Sequence, residues 1–103
     1  SDGSIEYESE HKNGILHGFT KYWDESGNLI SEAMYSNGKL HGLWLSYFSG
    51  NIVKSKVGYS YGQKHGNEEF FYDNGQLQSL TEYDAGELIF ETIRWTKAGE
   101  LIR

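Results

Sequence analysis

Cysteine and proline are both absent from this chain of 103 residues. Without cysteine there is no disulfide framework, no thiolate zinc site and no thiol nucleophile. Aliphatic side chains are also scarce, because aromatics make up 16 of the 37 percentage points of apolar residues. A thick two-layer core would be hard to fill from that stock, whereas a thin sheet lined with rings would not. No apolar run approaches the ~20 residues that span a bilayer as a helix. The net charge is -6, which disfavours duplex nucleic acid and an anionic membrane as partners and favours a protein of basic character. The chain opens on Ser1 rather than methionine, so the expectation is a processed or excised form.

Glycine is abundant, with 13 residues, and it is periodic. Gly14, Gly38, Gly62 and Gly86 are separated by 24 residues each time. Three of them open one phrase: Asn13-Gly14-Ile15-Leu16-His17-Gly18, Asn37-Gly38-Lys39-Leu40-His41-Gly42 and Tyr61-Gly62-Gln63-Lys64-His65-Gly66. The fourth, Ala85-Gly86-Glu87-Leu88-Ile89-Phe90, keeps the first glycine and loses the His-Gly. An aromatic then follows at Trp23, Tyr47, Phe71 and Trp95, and a second turn at Gly27, Gly50, Gly75 and Gly99. Each second turn leads to an aliphatic (Leu29, Ile52, Leu77, Leu101), and the first three units close on Tyr35, Tyr59 and Tyr83.

This frame divides the chain into a half unit over 3–12, units over 13–36, 37–60 and 61–84, and a partial unit over 85–103. Gly3, Ile5 and His11 take the turn, aliphatic and closing-ring slots of the half unit. The second unit reaches its inner turn one residue early, at Gly50, and a β-bulge around Val57-Gly58 is expected to absorb the difference. Turn signals at this spacing leave strand-length segments, and Asn-Gly favours two-residue hairpin turns. The pattern predicts an all-β fold: a single-layer, twisted antiparallel meander of about nine short strands.

The phrase NGxxHG, followed by an aromatic pair, a turn glycine, an aliphatic and a closing tyrosine, resembles the bacterial variant of the MORN repeat. The resemblance covers residues 3–103 and implies successive hairpins in one sheet, acting as a scaffolding or interaction module. It extends to proteins described as antitoxins of the YwqK family, which would place this chain in the cytoplasm.

His17, His41 and His65 share one repeat position and invite a metal hypothesis. Equivalent residues of successive hairpins lie roughly 9–10 Å apart, too far for ligands of a single ion, so a ring capping a backbone group is the expected role. No metal and no cofactor is expected. The aromatics Tyr22, Trp23, Trp44, Phe48, Phe70 and Tyr72 are the candidate binding residues, because one layer cannot hide the rings of both its faces. Charge is segregated as well. Residues 1–32 sum to -5, residues 33–67 carry four lysines and no acid, and residues 68–103 sum to -5.

Catalysis finds little support. Glu68 and Glu69 are adjacent and would point to opposite faces of a strand, and no serine sits in a nucleophile-elbow sequence. The glycines do not form a phosphate-cradling loop ahead of a helix. The expected function is therefore a non-enzymatic protein-interaction module, of antitoxin or immunity type, with open edge strands that permit end-to-end self-association. The alternative is a fragment of an exported surface repeat protein with a structural or glycan-binding role.

Overall fold

The computed structural model describes residues 6–103. Gly3 and Ile5 of the expected half unit lie outside these residues. Ten strands form one antiparallel sheet in chain order: β1 (Glu6–Lys12), β2 (Ile15–Trp23), β3 (Leu29–Ser36), β4 (Lys39–Phe48), β5 (Ile52–Ser60), β6 (Gln63–Phe71), β7 (Leu77–Asp84), β8 (Glu87–Leu88), β9 (Ile93–Trp95) and β10 (Leu101–Ile102). The described residues measure 47 × 34 × 13 Å. Packed sheets lie about 10 Å apart before their outer side chains are added, so 13 Å accommodates one layer only. The expected meander of nine strands becomes ten because β8 and β9 both pair with β7 and are two halves of one interrupted strand.

Local backbone chemistry explains the stacking. Asn13-Gly14, Asn37-Gly38, Tyr61-Gly62 and Ala85-Gly86 all have positive φ at both positions, from 47° to 89°, as a two-residue type I′ hairpin turn requires. Such a turn leaves its two central N–H groups without a partner inside the hairpin. Here the preceding hairpin accepts them. Gly38, Gly62 and Gly86 donate to the carbonyls of Leu16, Leu40 and Lys64 at 2.7–2.8 Å. Asn37, Tyr61 and Ala85 donate to Nδ1 of His17, His41 and His65 at 3.3, 3.2 and 3.1 Å. Each turn is thereby pinned to the one before it. Tyr61, a bulky residue in a strained conformation, also packs its ring 4.3 Å from that of His41.

The glycine of each His-Gly makes a wide bulge. Between the pairs Ser9↔Thr20 and His11↔Leu16, the single residue Glu10 opposes residues 17–19, and the Glu10 carboxylate accepts the freed N–H of Phe19 at 3.1 Å. The same irregularity recurs between Ala33 and Tyr35 and between Val57 and Tyr59. Gly18, Gly42 and Gly66 take φ of 108°, 111° and 90° there. Phe90 holds the corresponding place in the fourth phrase and is not among the positive-φ residues. A side chain makes that conformation costly, so the backbone takes another path and the strand breaks between Leu88 and Ile93.

The bulge near Val57-Gly58 is thus a property of all three His-Gly phrases and does not correct the second unit. The correction lies in the outer turn. Trp23↔Leu29, Tyr47↔Val53 and Phe71↔Leu77 are equivalent pairs with equal loop lengths. The second unit inserts a further pair, Phe48↔Ile52, and closes with a tighter turn over 49–51. Val53 rather than Ile52 therefore occupies the slot of Leu29 and Leu77.

Among the described residues the five buried ones, Thr20, Ala33, Ser55, Val57 and Thr81, lie on one face. Small side chains form its floor, and larger rings from diagonal positions lean over them.

Candidate interaction face

Cross-strand register assigns the rings to faces. One row runs Tyr7, Tyr22, Ser31, Ser46, Ser55, Phe70, Ser79 and Arg94 across successive strands. A second row, on the same face, runs Ser9, Thr20, Ala33, Trp44, Val57, Glu68 and Thr81. A third holds the pairs His11↔Leu16, Tyr35↔Leu40, Tyr59↔Lys64 and Tyr83↔Leu88. This tyrosine face carries few charges. Lys64 and Glu68 neutralise each other at 2.6 Å, with the Lys64 ammonium 5.1 Å from the Tyr83 ring centroid. The hydrogen bond to Glu68 raises the pKa of Lys64 above the usual lysine value.

The rings gather at two places. At the β1–β5 end, Tyr7 and Tyr22 approach to 4.9 Å between centroids, and Trp44 and Tyr59 to 6.5 Å. Tyr35 sits among them. Burial first, and then the neighbouring phenols of Tyr22, Tyr7 and Tyr59, push its hydroxyl pKa up. A shallow cavity of about 250 Å³ opens between Tyr22, Tyr35, Trp44 and Leu40, with Glu32 at its margin. Tyr22 and Trp44 remain 39% and 40% exposed, so the cluster has ring surface free for contact. At the β6–β10 end, Phe70 and Tyr72 flank a second cavity of about 400 Å³. The Tyr72 hydroxyl donates to the Trp95 carbonyl at 2.8 Å.

The opposite face is built differently. Trp23, Tyr47, Phe71 and Trp95 form a half-buried ladder along its margin. Further in, Lys21, Glu32, Lys56 and Glu69 alternate across the strands with Leu45, Leu80 and Ile93 in the same row. The Tyr47 hydroxyl donates to Glu32 at 3.1 Å, and burial followed by that bond raises its pKa. Glu68 and Glu69 point to opposite faces, as adjacent strand residues must.

Of the six aromatics singled out from the sequence, the fold brings Tyr22 and Trp44 to one cavity and Phe70 and Tyr72 to another. Trp23 turns to the opposite face. Phe48 stands apart at the end of β4, where the Lys54 ammonium lies 5.8 Å from its ring centroid. Sequence reasoning missed Tyr7, Tyr35 and Tyr59, which complete the first cluster. The signal for Tyr35 and Tyr59 lies in their recurrence with Tyr83 at 24 residues, whereas Tyr7 stands outside that series. The three histidines are taken up by the turns, each with Nδ1 serving as an acceptor.

Residues 16–37 and 64–85 match the MORN repeat variant, two glycine periods apart. No curated protein and no solved structure matches the chain. Repeats of this type are non-catalytic interaction modules. Two stretches of this chain are therefore similar to the MORN repeat variant, and the hairpins between and around them keep the same beat.

Proposed function

We propose that this protein is a non-enzymatic binding module of antitoxin or immunity type, which holds a partner protein of basic character against the Tyr7–Tyr22–Tyr35–Trp44–Tyr59 cluster. The observation that carries the reading is a set of exposed rings on an almost uncharged patch. Such rings bury large area at small entropic cost and anchor most protein interfaces. Basic character is supported by the net charge of -6, to which β1, the strand at the edge of the patch, contributes Glu6, Glu8 and Glu10, although their side chains alternate to the other face. Charges at a rim steer association and reject wrong partners more than they add affinity.

The product of the neighbouring gene is the first partner to test, by titration against the purified chain. A Tyr22→Ala, Trp44→Ala double variant is expected to weaken binding by about 100-fold or more, since a central aromatic anchor contributes about 2 kcal/mol. Undiminished binding by that variant would overturn the aromatic-cluster mechanism. The hydroxyls of Thr20, Ser31, Tyr22 and Tyr35 around the same rings favour one second reading, a neutral glycan of a surface structure. Saturable binding on a glycan array, with no response to the neighbouring gene product, would establish it instead.

A further inference from the structure

We propose that the cavity at the β6–β10 end binds a small organic acid, a carboxylate carried on a flat apolar body, with Arg94 as its counter-charge. The proposal goes beyond the protein-binding reading and uses different residues. The cavity, about 400 Å³, is lined by Phe70, Tyr72, Ser79, Arg94 and Ile102, among others. That volume falls within the range of small-molecule sites, whereas the 250 Å³ recess beside Trp44 falls below it.

Arg94 is the one lysine or arginine that lines this cavity among the described residues. The chain has 15 acids against nine lysines and arginines, yet among the described residues no carboxylate lies within 4.0 Å of the Arg94 guanidinium. Lys64 pairs with Glu68 at 2.6 Å and Lys97 with Asp73 at 2.7 Å, so neither competes with Arg94 for an incoming anion. On the tyrosine face Arg94 takes the repeat position held by Tyr22, Ser46 and Phe70 in the earlier units. It is therefore an unbalanced cation on an otherwise neutral surface, set beside the Ser79 hydroxyl, its cross-strand neighbour.

The walls define the rest of the ligand. Phe70 and Tyr72 offer ring surface on one side and Ile102 an apolar side chain on the other, so the body should be flat and uncharged. The bond from the Tyr72 hydroxyl to the Trp95 carbonyl holds one wall in place before any ligand arrives. A guanidinium presents parallel donors to a carboxylate, a fit that an ammonium or a neutral amide cannot copy. The net charge of -6 repels anions at long range, which makes this local cation necessary and keeps the affinity modest.

The test is a titration with phenylacetate, followed through the backbone amide signals of Ser79 and Arg94, with Tyr35 as a distant control. Saturable shifts confined to the cavity are expected, with phenylacetamide binding at least about tenfold more weakly. Arg94→Gln should lose the same factor, and Arg94→Lys should lose part of it, while the unchanged spectrum elsewhere reports an intact fold. The peptide acetyl-Gly-Phe, as free acid and as amide, separates the sources of the carboxylate. An acid form that binds more tightly than phenylacetate points to the chain end of a partner, and an acid form that binds more weakly points to a free metabolite. Equal affinity of phenylacetate and its amide, wild-type affinity in Arg94→Gln, or no saturation up to about 50 mM would each overturn the proposal.

Discussion

The three His-Gly junctions and the fourth phrase start from the same turn and end differently. At Gly18, Gly42 and Gly66 the chain passes through a positive-φ bulge and continues as one long strand. The ring beside each glycine then receives the next turn. At Ile89-Phe90 neither happens: the strand is cut into β8 and β9, and Ile89, Phe90 and Ile93 are exposed. Two adjacent residues thus decide both the continuity of a strand and whether it offers an acceptor to a following turn. The comparison teaches that the 24-residue beat is held by backbone conformation at one glycine more than by any buried side chain.

The largest effect should come from moving the fourth phrase into the second. A His41→Ile, Gly42→Phe variant forces a bulky residue to φ 111° and loses the acceptor for the Tyr61 N–H. It also drives a Cβ to 3.3 Å from that of Met34. A loss of about 3 kcal/mol in urea unfolding is expected, combining backbone strain with a lost hydrogen bond. The reverse transplant, Ile89→His with Phe90→Gly, should fuse β8 and β9 and add about 1 kcal/mol. New amide-exchange protection at residues 90–92 would show it, and unchanged exchange there would refute the account of the break. The ring alone should matter less. His41→Ala is expected to cost about 0.5 kcal/mol, because the Tyr61 N–H is exposed and water can replace the imidazole.

The smallest effect concerns pH and separates the ion-paired third unit from the tyrosines of the two units before it. Lys64, Tyr35 and Tyr47 all have raised pKa values in the folded chain. The folded state then holds its protons longer than the unfolded one, so this stability is complete below about pH 10 and declines as pH rises beyond it. Glu68→Gln should remove the Lys64 share of the alkaline decline and leave the tyrosine share, which an alkaline denaturation series would resolve. The lowered values of Asp24 and Asp73 act in the opposite sense. Their contribution is present above the ordinary aspartate value of 3.8 and fades as pH falls below it. Both are fully solvated, so that acid-side change is the weakest of all.

Much of the fold was legible because turn chemistry is local. Asn-Gly names its own conformation at residues 13–14 and 37–38, and four glycines at one spacing leave little else to choose for the other two turns. The bulges were harder. At His-Gly one residue faces three, an excess of two that keeps the alternation of side chains in phase and so leaves no trace in the hydrophobic pattern. At Ile30, Lys54 and Gln78 the excess is one, which sends Leu29 and Ser31 to opposite faces although they are two apart. The site was legible in part for the same reason. Tyr22 and Trp44 stood out as large rings, but which neighbours they meet depends on register across three strands, and that is set by the bulges.

The docking of each turn on its predecessor has a mechanical consequence. A pull applied across the strands, from the first hairpin towards the last, meets the contacts between units one rung at a time rather than all together. Under such tension the ribbon should peel open like a perforated strip, releasing its hairpins singly in small, equal steps of extension.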